Sequence, residues 1–220
     1  MNKFLFSIIF FLFFIFSAIF FTPINFFAGF FLNQNKNLNI EYAYLEGNIL
    51  SGSILDLYVD GQVIGDYSYE TMLSTKDIKI KFISTDERRI SGNLIKSFNN
   101  TNLSNFTVTD FLAEEVISLD LIENIKLKIN INELKINSFQ CMTINGSIYI
   151  SADSIKENLN GDLSCRDGNK ISTTLKNDKN KILGTIQYFD SSVKVSISTK
   201  ALPDRRLQLL TDEVSFTVDL

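Results

Sequence analysis

Two patterns divide the chain. From Phe4 to Phe21 the sequence reads FLFSIIFFLFFIFSAIFF, 18 residues with two Ser, no charge and no polar period. After residue 40 the period becomes two. Leu55, Leu57 and Val59 alternate with Asp56, Tyr58 and Asp60. Ile78, Ile80 and Phe82 alternate with Lys79 and Lys81, and Ile125, Leu127, Ile129 and Ile131 with Lys126, Lys128 and Asn130. Ile148 and Ile150, then Val193, Val195 and Ile197, then Val214, Phe216 and Val218 continue the series. Strands with one apolar and one polar face predict an antiparallel sheet that is wet on one side. Asp60-Gly61 and Asp167-Gly168 are hairpin dipeptides. Asn177–Lys181 and Asp190-Ser191-Ser192 read as polar loops, and from Phe139 to Lys200 the strands form a meander. Thr109–Ile117, TDFLAEEVI, predicts one short helix capped by Asp110, with Phe111, Leu112, Val116 and Ile117 on one side; Ser97–Asn105 before it reads as a loop. The expected fold is therefore mainly β: an N-terminal transmembrane helix, then an antiparallel β meander with one short helix.

A helix of 18 residues spans roughly 27 Å, close to the hydrocarbon thickness of a bilayer. Secretory signals have shorter apolar cores, and Ser17-Ala18-Ile19 lacks a small third residue, so a retained anchor is favoured over a cleaved signal. Pro23 marks the helix end, and Phe26, Phe27, Phe30 and Phe31 suit the outer interface. Lys3 is the only charge before Lys36, which places the N-terminus in the cytoplasm and the body in a bacterial periplasm. The expected organisation is an anchor over 1–31 (transmembrane about 4–21), a linker over 32–40 and a periplasmic β domain over 41–220.

Composition narrows the chemistry. The 220 residues carry a net charge of −4 with no His, no Trp and two Cys. Without His there is no Ser-His-Asp or Cys-His nucleophile and no His-ligated zinc. The acidic balance argues against a nucleic-acid partner. No cofactor motif is present, and the chain reads as a non-enzyme. The prominence of Phe, Ile, Asn and Lys indicates an A/T-rich genome, so single Asn residues receive little weight. Cys141 and Cys165, in an exported body, predict a disulfide, with two buried free thiols as the alternative. A hairpin centred near Asp153 brings the two cysteines opposite each other, and a one-residue bulge between Cys141 and Ile144 reconciles their differing strand parities. Glu114-Glu115 resembles a catalytic pair but reads as a solvated helix face. Arg88-Arg89 and Arg205-Arg206 read as solvated strand ends, or as partners for an acid or a phospholipid headgroup. The apolar sheet faces read as core, or as an open groove for an acyl chain if the covering helix is too small to hide them.

The stretch Leu45-Glu46-Gly47-Asn48-Ile49-Leu50-Ser51-Gly52-Ser53 resembles the signature of the type II secretion system protein N family (general secretion pathway protein N), which runs Gly-Thr-Leu-Trp, one residue, Gly. Gly47 and Gly52 keep their places, while Asn48, Ile49 and Leu50 stand where Thr, Leu and Trp are usual. Ile64-Gly65-Asp66-Tyr67-Ser68-Tyr69 is similar to the later Leu-Gly-x-Leu-x-Trp run, with Tyr69 in the Trp position. Cys141, Gly146-Ser147-Ile148 and Gly161 to Gly168 with Cys165 resemble the family's later Cys-strand-Cys layout. The resemblance implies a non-catalytic inner-membrane subunit that contacts other secretion-system subunits and exports folded proteins across the outer membrane. The alternative is a periplasmic lipid-handling protein, such as a lipopolysaccharide-export subunit.

Overall fold

The computed structural model describes residues 3–26, 40–59, 61–87, 89–100, 102, 105–119, 122–138, 140–152, 157–166, 170–189, 192–201, 209 and 211–219. Helix α1 covers Lys3–Phe21. Its described phenylalanines Phe10, Phe11, Phe13, Phe14, Phe16 and Phe21 are each between 61 and 78% exposed. Among the described residues no helix is long and apolar enough to cross a membrane. The expected span over 4–21 falls in part on side chains outside the described ones, those of residues 4–8, 15, 18 and 19. The linker over 32–40 lies outside the described residues but for Ile40.

The chain divides into two compact units. The first holds residues 1–73 and 80–87. After α1 it contains β1 (Ile40–Glu41), β2 (Tyr44–Gly47), β3 (Ser51–Val59), β4 (Gln62–Leu73) and most of β5 (Asp77–Ser84). Both β1 and β2 pair antiparallel with β3, at Ile40↔Val59 and Tyr44↔Leu55, and β3 pairs antiparallel with β4, with Val59 opposite Gln62. The strands turn back where the Asp-Gly dipeptide predicts; Asp60 lies outside the described residues, and Gly61 takes a positive φ.

The second unit holds residues 74–79 and 88–220. Its strands are β6 (Arg89–Ser97), β7 (Phe106–Leu119), β8 (Ile122–Asn137), β9 (Gln140–Ser151), β10 (Leu159–Arg166), β11 (Lys170–Lys176), β12 (Ile182–Phe189), β13 (Ser192–Ser198) and β14 (Glu213–Asp219). Each pairs antiparallel with the next in sequence, which is the expected meander. Ile148, Ile150, Leu159, Leu175, Leu183, Ile197 and Ala201 form its buried core, with Ile125, Leu127, Ile129, Ile186 and Val195 packed against them. Ala201 reaches it from a short 3-10 turn, Thr199–Ala201.

The expected helix is corrected. Thr109–Ile117 lies inside β7, paired with β6 on one side and β8 on the other. An isolated nine-residue helix is marginal in water, so its Leu-Ala-Glu-Glu propensity yields to two flanking ladders. Asp110 is no helix cap. It sits at positive φ where β7 has two residues, Asp110 and Phe111, against Gly92 of β6. The Asn93 side chain closes this bulge by donating to Thr109 O (3.4 Å) and Asp110 Oδ2 (3.0 Å). Consequently no helix covers the sheet at Thr109–Ile117.

Candidate functional site

Two of the three glycines of the resemblance come together in the first unit. Gly47 and Gly52 are a cross-strand pair on β2 and β3, and Gly52 is opposite Tyr69 on β4. Gly47 has φ +101°, and a Cβ there would strike Ser51 O and stand 2.5 Å from Gly52 Cα. A Cβ on Gly52 would strike Glu46 O and stand 2.6 Å from the Tyr69 Oη. Gly47 therefore requires glycine for both close approach and backbone conformation, and Gly52 for close approach. Tyr69 fills the space over the bare Gly52, the arrangement by which an aromatic covers a strand glycine.

Asn48 organises the turn between them. Its Oδ1 accepts from the amides of Leu50 (2.8 Å) and Ser51 (3.1 Å), and its own amide donates to Ser51 O (2.9 Å). The Tyr69 hydroxyl donates to Asn48 O (2.7 Å), and the Thr71 amide donates to Leu50 O (2.6 Å). Burial pushes the Tyr69 phenol above its ordinary pKa, which keeps it a hydrogen-bond donor. An isolated antiparallel bridge joins Asn48 to Pro23, two residues past the end of α1. The sequence reading gave this Asn no weight. The signal for it was local: an Asn at the head of a four-residue link between two glycines is an Asx-turn position.

Gly65 stands apart, further along β4. It has φ +111° and pairs with Leu57 beside a bulge in β3 where Asp56 also takes positive φ. The Asp56 amide donates to Asp66 Oδ1 (2.7 Å) there.

The cysteines belong to the second unit. Cys141 and Cys165 are disulfide-bonded, with Cα atoms 5.6 Å apart. The expected bulge is present: Thr143 pairs with Lys135 and Cys141 with Ile136, leaving Met142 extra on β9. This turns Met142 outward, exposed, and lets Cys141 face inward, buried. The β9–β10 ladder runs from Leu159↔Ile150 to Asp162↔Ser147, and Asp153, near the expected centre of the connecting hairpin, lies outside the described residues. The disulfide thus closes past the end of the paired ladder rather than within it.

The remaining candidates do not converge on chemistry. Glu114 and Glu115 are strand neighbours, so their side chains leave opposite faces. Glu114 bonds Lys128 (2.6 Å) and faces Arg89 (3.7 Å) across three strands, and these cations, Lys128 first, hold its carboxyl below the ordinary glutamate value. Arg89 thereby has the acidic partner that was the alternative reading, while Arg88, Arg205 and Arg206 lie outside the described residues. Among the described residues no group of three or more acidic or thiol side chains gathers where it would hold a metal ion. In the core, Thr173 is 4% exposed and its Oγ1 has no hydrogen-bond partner. It lies over Gly161, whose missing side chain makes the room.

No protein-family model, curated protein or solved structure matches the chain.

Proposed function

We propose that this chain is an inner-membrane-anchored, periplasmic, non-catalytic subunit of the type II protein secretion machinery, with its N-terminus in the cytoplasm. The observation that carries the reading is the Gly47–Gly52 turn. The two glycines and Tyr69, which resemble the family signature at separated points of the sequence, meet in one hydrogen-bonded turn that tolerates no larger residue at either glycine. Support for the anchor comes from the uncharged run Phe4–Phe21 and from the exposed phenylalanines of α1, a surface that water disfavours and lipid accepts. Support for the periplasm comes from the disulfide, since such bonds persist in oxidising compartments.

The test is purification of the tagged full chain from membranes in mild detergent. Co-purification of the secretion ATPase platform or the secretin supports the reading. Stoichiometric bound lipid with none of these subunits overturns it in favour of a lipid-handling protein. One observation favours that second reading: the segment expected to cover the sheet as a helix is itself a strand, so no such helix closes off the apolar face.

A further inference from the structure

The turn that joins β2 to β3 is tied to the foot of α1. Its Asn48 bridges Pro23, two residues beyond the last helical residue Phe21. Paired Cα atoms in an antiparallel bridge are about 5 Å apart, and Leu50, two residues further, lies at most about 7 Å from Asn48. The turn is therefore held close to the end of the helix whatever the rest of the chain does.

Three features of this turn suit a lipid interface. It is uncharged: from Gly47 to Leu55 the sequence GNILSGSIL contains no ionisable side chain. Its backbone is nearly saturated with hydrogen bonds. The Asn48, Leu50 and Ser51 amides all have acceptors, and the Asn48, Leu50 and Ser51 carbonyls all have donors. Backbone polar groups left unpaired are costly where water is scarce, so a saturated turn enters such a layer at little expense. Finally, Leu50 is fixed through both its amide and its carbonyl while its apolar side chain stays 37% exposed, and Phe21 and Phe26, also exposed, lie within three residues of the bridged Pro23 in sequence. Tyr69 adds an aromatic ring with a polar tip, a residue type favoured at membrane–water boundaries.

We propose that the Gly47–Gly52 turn lies in the outer interface of the same bilayer that holds α1, with Leu50 among the lipid headgroups, so that the β body has a second, non-covalent hold on the membrane. This rests on the reading of α1 as a membrane anchor. The nearest carboxylates, Glu46 and Glu70, flank the turn rather than occupy it. The contact is accordingly apolar and independent of lipid charge.

The test uses the full chain in phosphatidylcholine nanodiscs. Because both native cysteines are disulfide-bonded, Leu50→Cys and Phe13→Cys each introduce one free thiol for an environment-sensitive fluorophore. Phospholipids spin-labelled near the headgroup or near the chain end then act as quenchers of known depth. The expected result is that the label at residue 50 loses more emission to the shallow quencher, and the label at residue 13 more to the deep one. If residue 13 is quenched by the deep lipid and residue 50 by neither, the inference is overturned while the anchor stands. If neither position is quenched, the anchor reading fails and the inference falls with it. Ser51→Cys, on the same turn, gives an independent reading should Leu50→Cys fail to fold.

Discussion

The two units reach order by different routes. Among the described residues the first buries two apolar side chains, Leu45 and Tyr67, whereas the second buries nine and adds a covalent bond. Both carry backbone devices. The second has Asp110, Asn124, Ser138 and Asn180 at positive φ and an Asn-closed turn at Asn177. The first, with little burial beside them, has Asp56, Gly47, Gly61 and Gly65 at positive φ, an Asx turn at Asn48 and a tyrosine laid over a glycine. A unit held by burial tolerates change at its turns and fails at its core. A unit held by backbone geometry should behave the other way round.

The strongest way to break this comparison is to empty the larger core. Leu159 has no solvent exposure, and Leu159→Ala is expected to cost about 2–5 kcal/mol through lost burial and the cavity left behind. Hydrogen exchange read by peptide locates the effect. Faster exchange across β9–β13 with residues 44–73 unchanged fits two separate routes to order. Equal acceleration in both shows that they unfold together. Next comes the clasp. Replacing both cysteines, Cys141→Ser with Cys165→Ser, is expected to lower stability by on the order of 3 kcal/mol in the chain-entropy model, seen as a lowered melting temperature under non-reducing conditions. An unchanged melting temperature would mean that the ladder already holds β9 and β10 without it.

Much of this was legible in the sequence, for reasons that can be named. Period-two runs such as Ile125 to Ile131 survive as strands because the residues on one face pack against a core. The bulge at Met142 was readable because two cysteines of opposite strand parity cannot both face inward without one. The helix expected at Thr109–Ile117 failed because local propensity carries no information about the strands on either side. The asparagines were undervalued for a related reason. A genome that favours Asn supplies many of them, but Asn93 and Asn105 bond backbone groups that only the fold brings near, and Asn48 and Asn177 close local turns. Asn177, for example, accepts from the Lys179 and Lys181 amides and closes the polar loop predicted there. The unpartnered Thr173 hydroxyl left no trace in the pattern, since Thr is an ordinary strand residue.

Smaller effects sharpen the contrast. Gly47 and Gly61 both sit at positive φ, but a Cβ on Gly61 meets nothing within 4 Å whereas one on Gly47 meets backbone. Gly61→Ala is expected to cost about 1–2 kcal/mol from conformation alone. Gly47→Ala should cost about 1–3 kcal/mol more, because backbone cannot repack as a side chain does. Equal losses in denaturant titrations would show that close approach plays no part. In the other unit the sign reverses. Thr173→Val removes a buried hydroxyl that has no partner at nearly constant volume, and should raise stability by about 1 kcal/mol. A loss of stability instead would reveal a partner for that hydroxyl in solution.

The smallest expected effect lies on the exposed ladder of Arg89, Glu114 and Lys128. The two cations hold the Glu114 carboxyl below its ordinary value in the folded chain. A group whose pKa is lowered on folding contributes stability above its unfolded pKa and loses it as the pH falls through the folded one. The melting temperatures of the native chain and Glu114→Gln should therefore differ at neutral pH and converge on acidification below the ordinary glutamate range. Arg89 is 81% exposed and water screens the ladder, so the neutral-pH gap should be smaller than in any variant above and shrink further in high salt. A gap that stays constant from neutral to acid pH would mean that the glutamate acts through packing in β7 rather than through its charge.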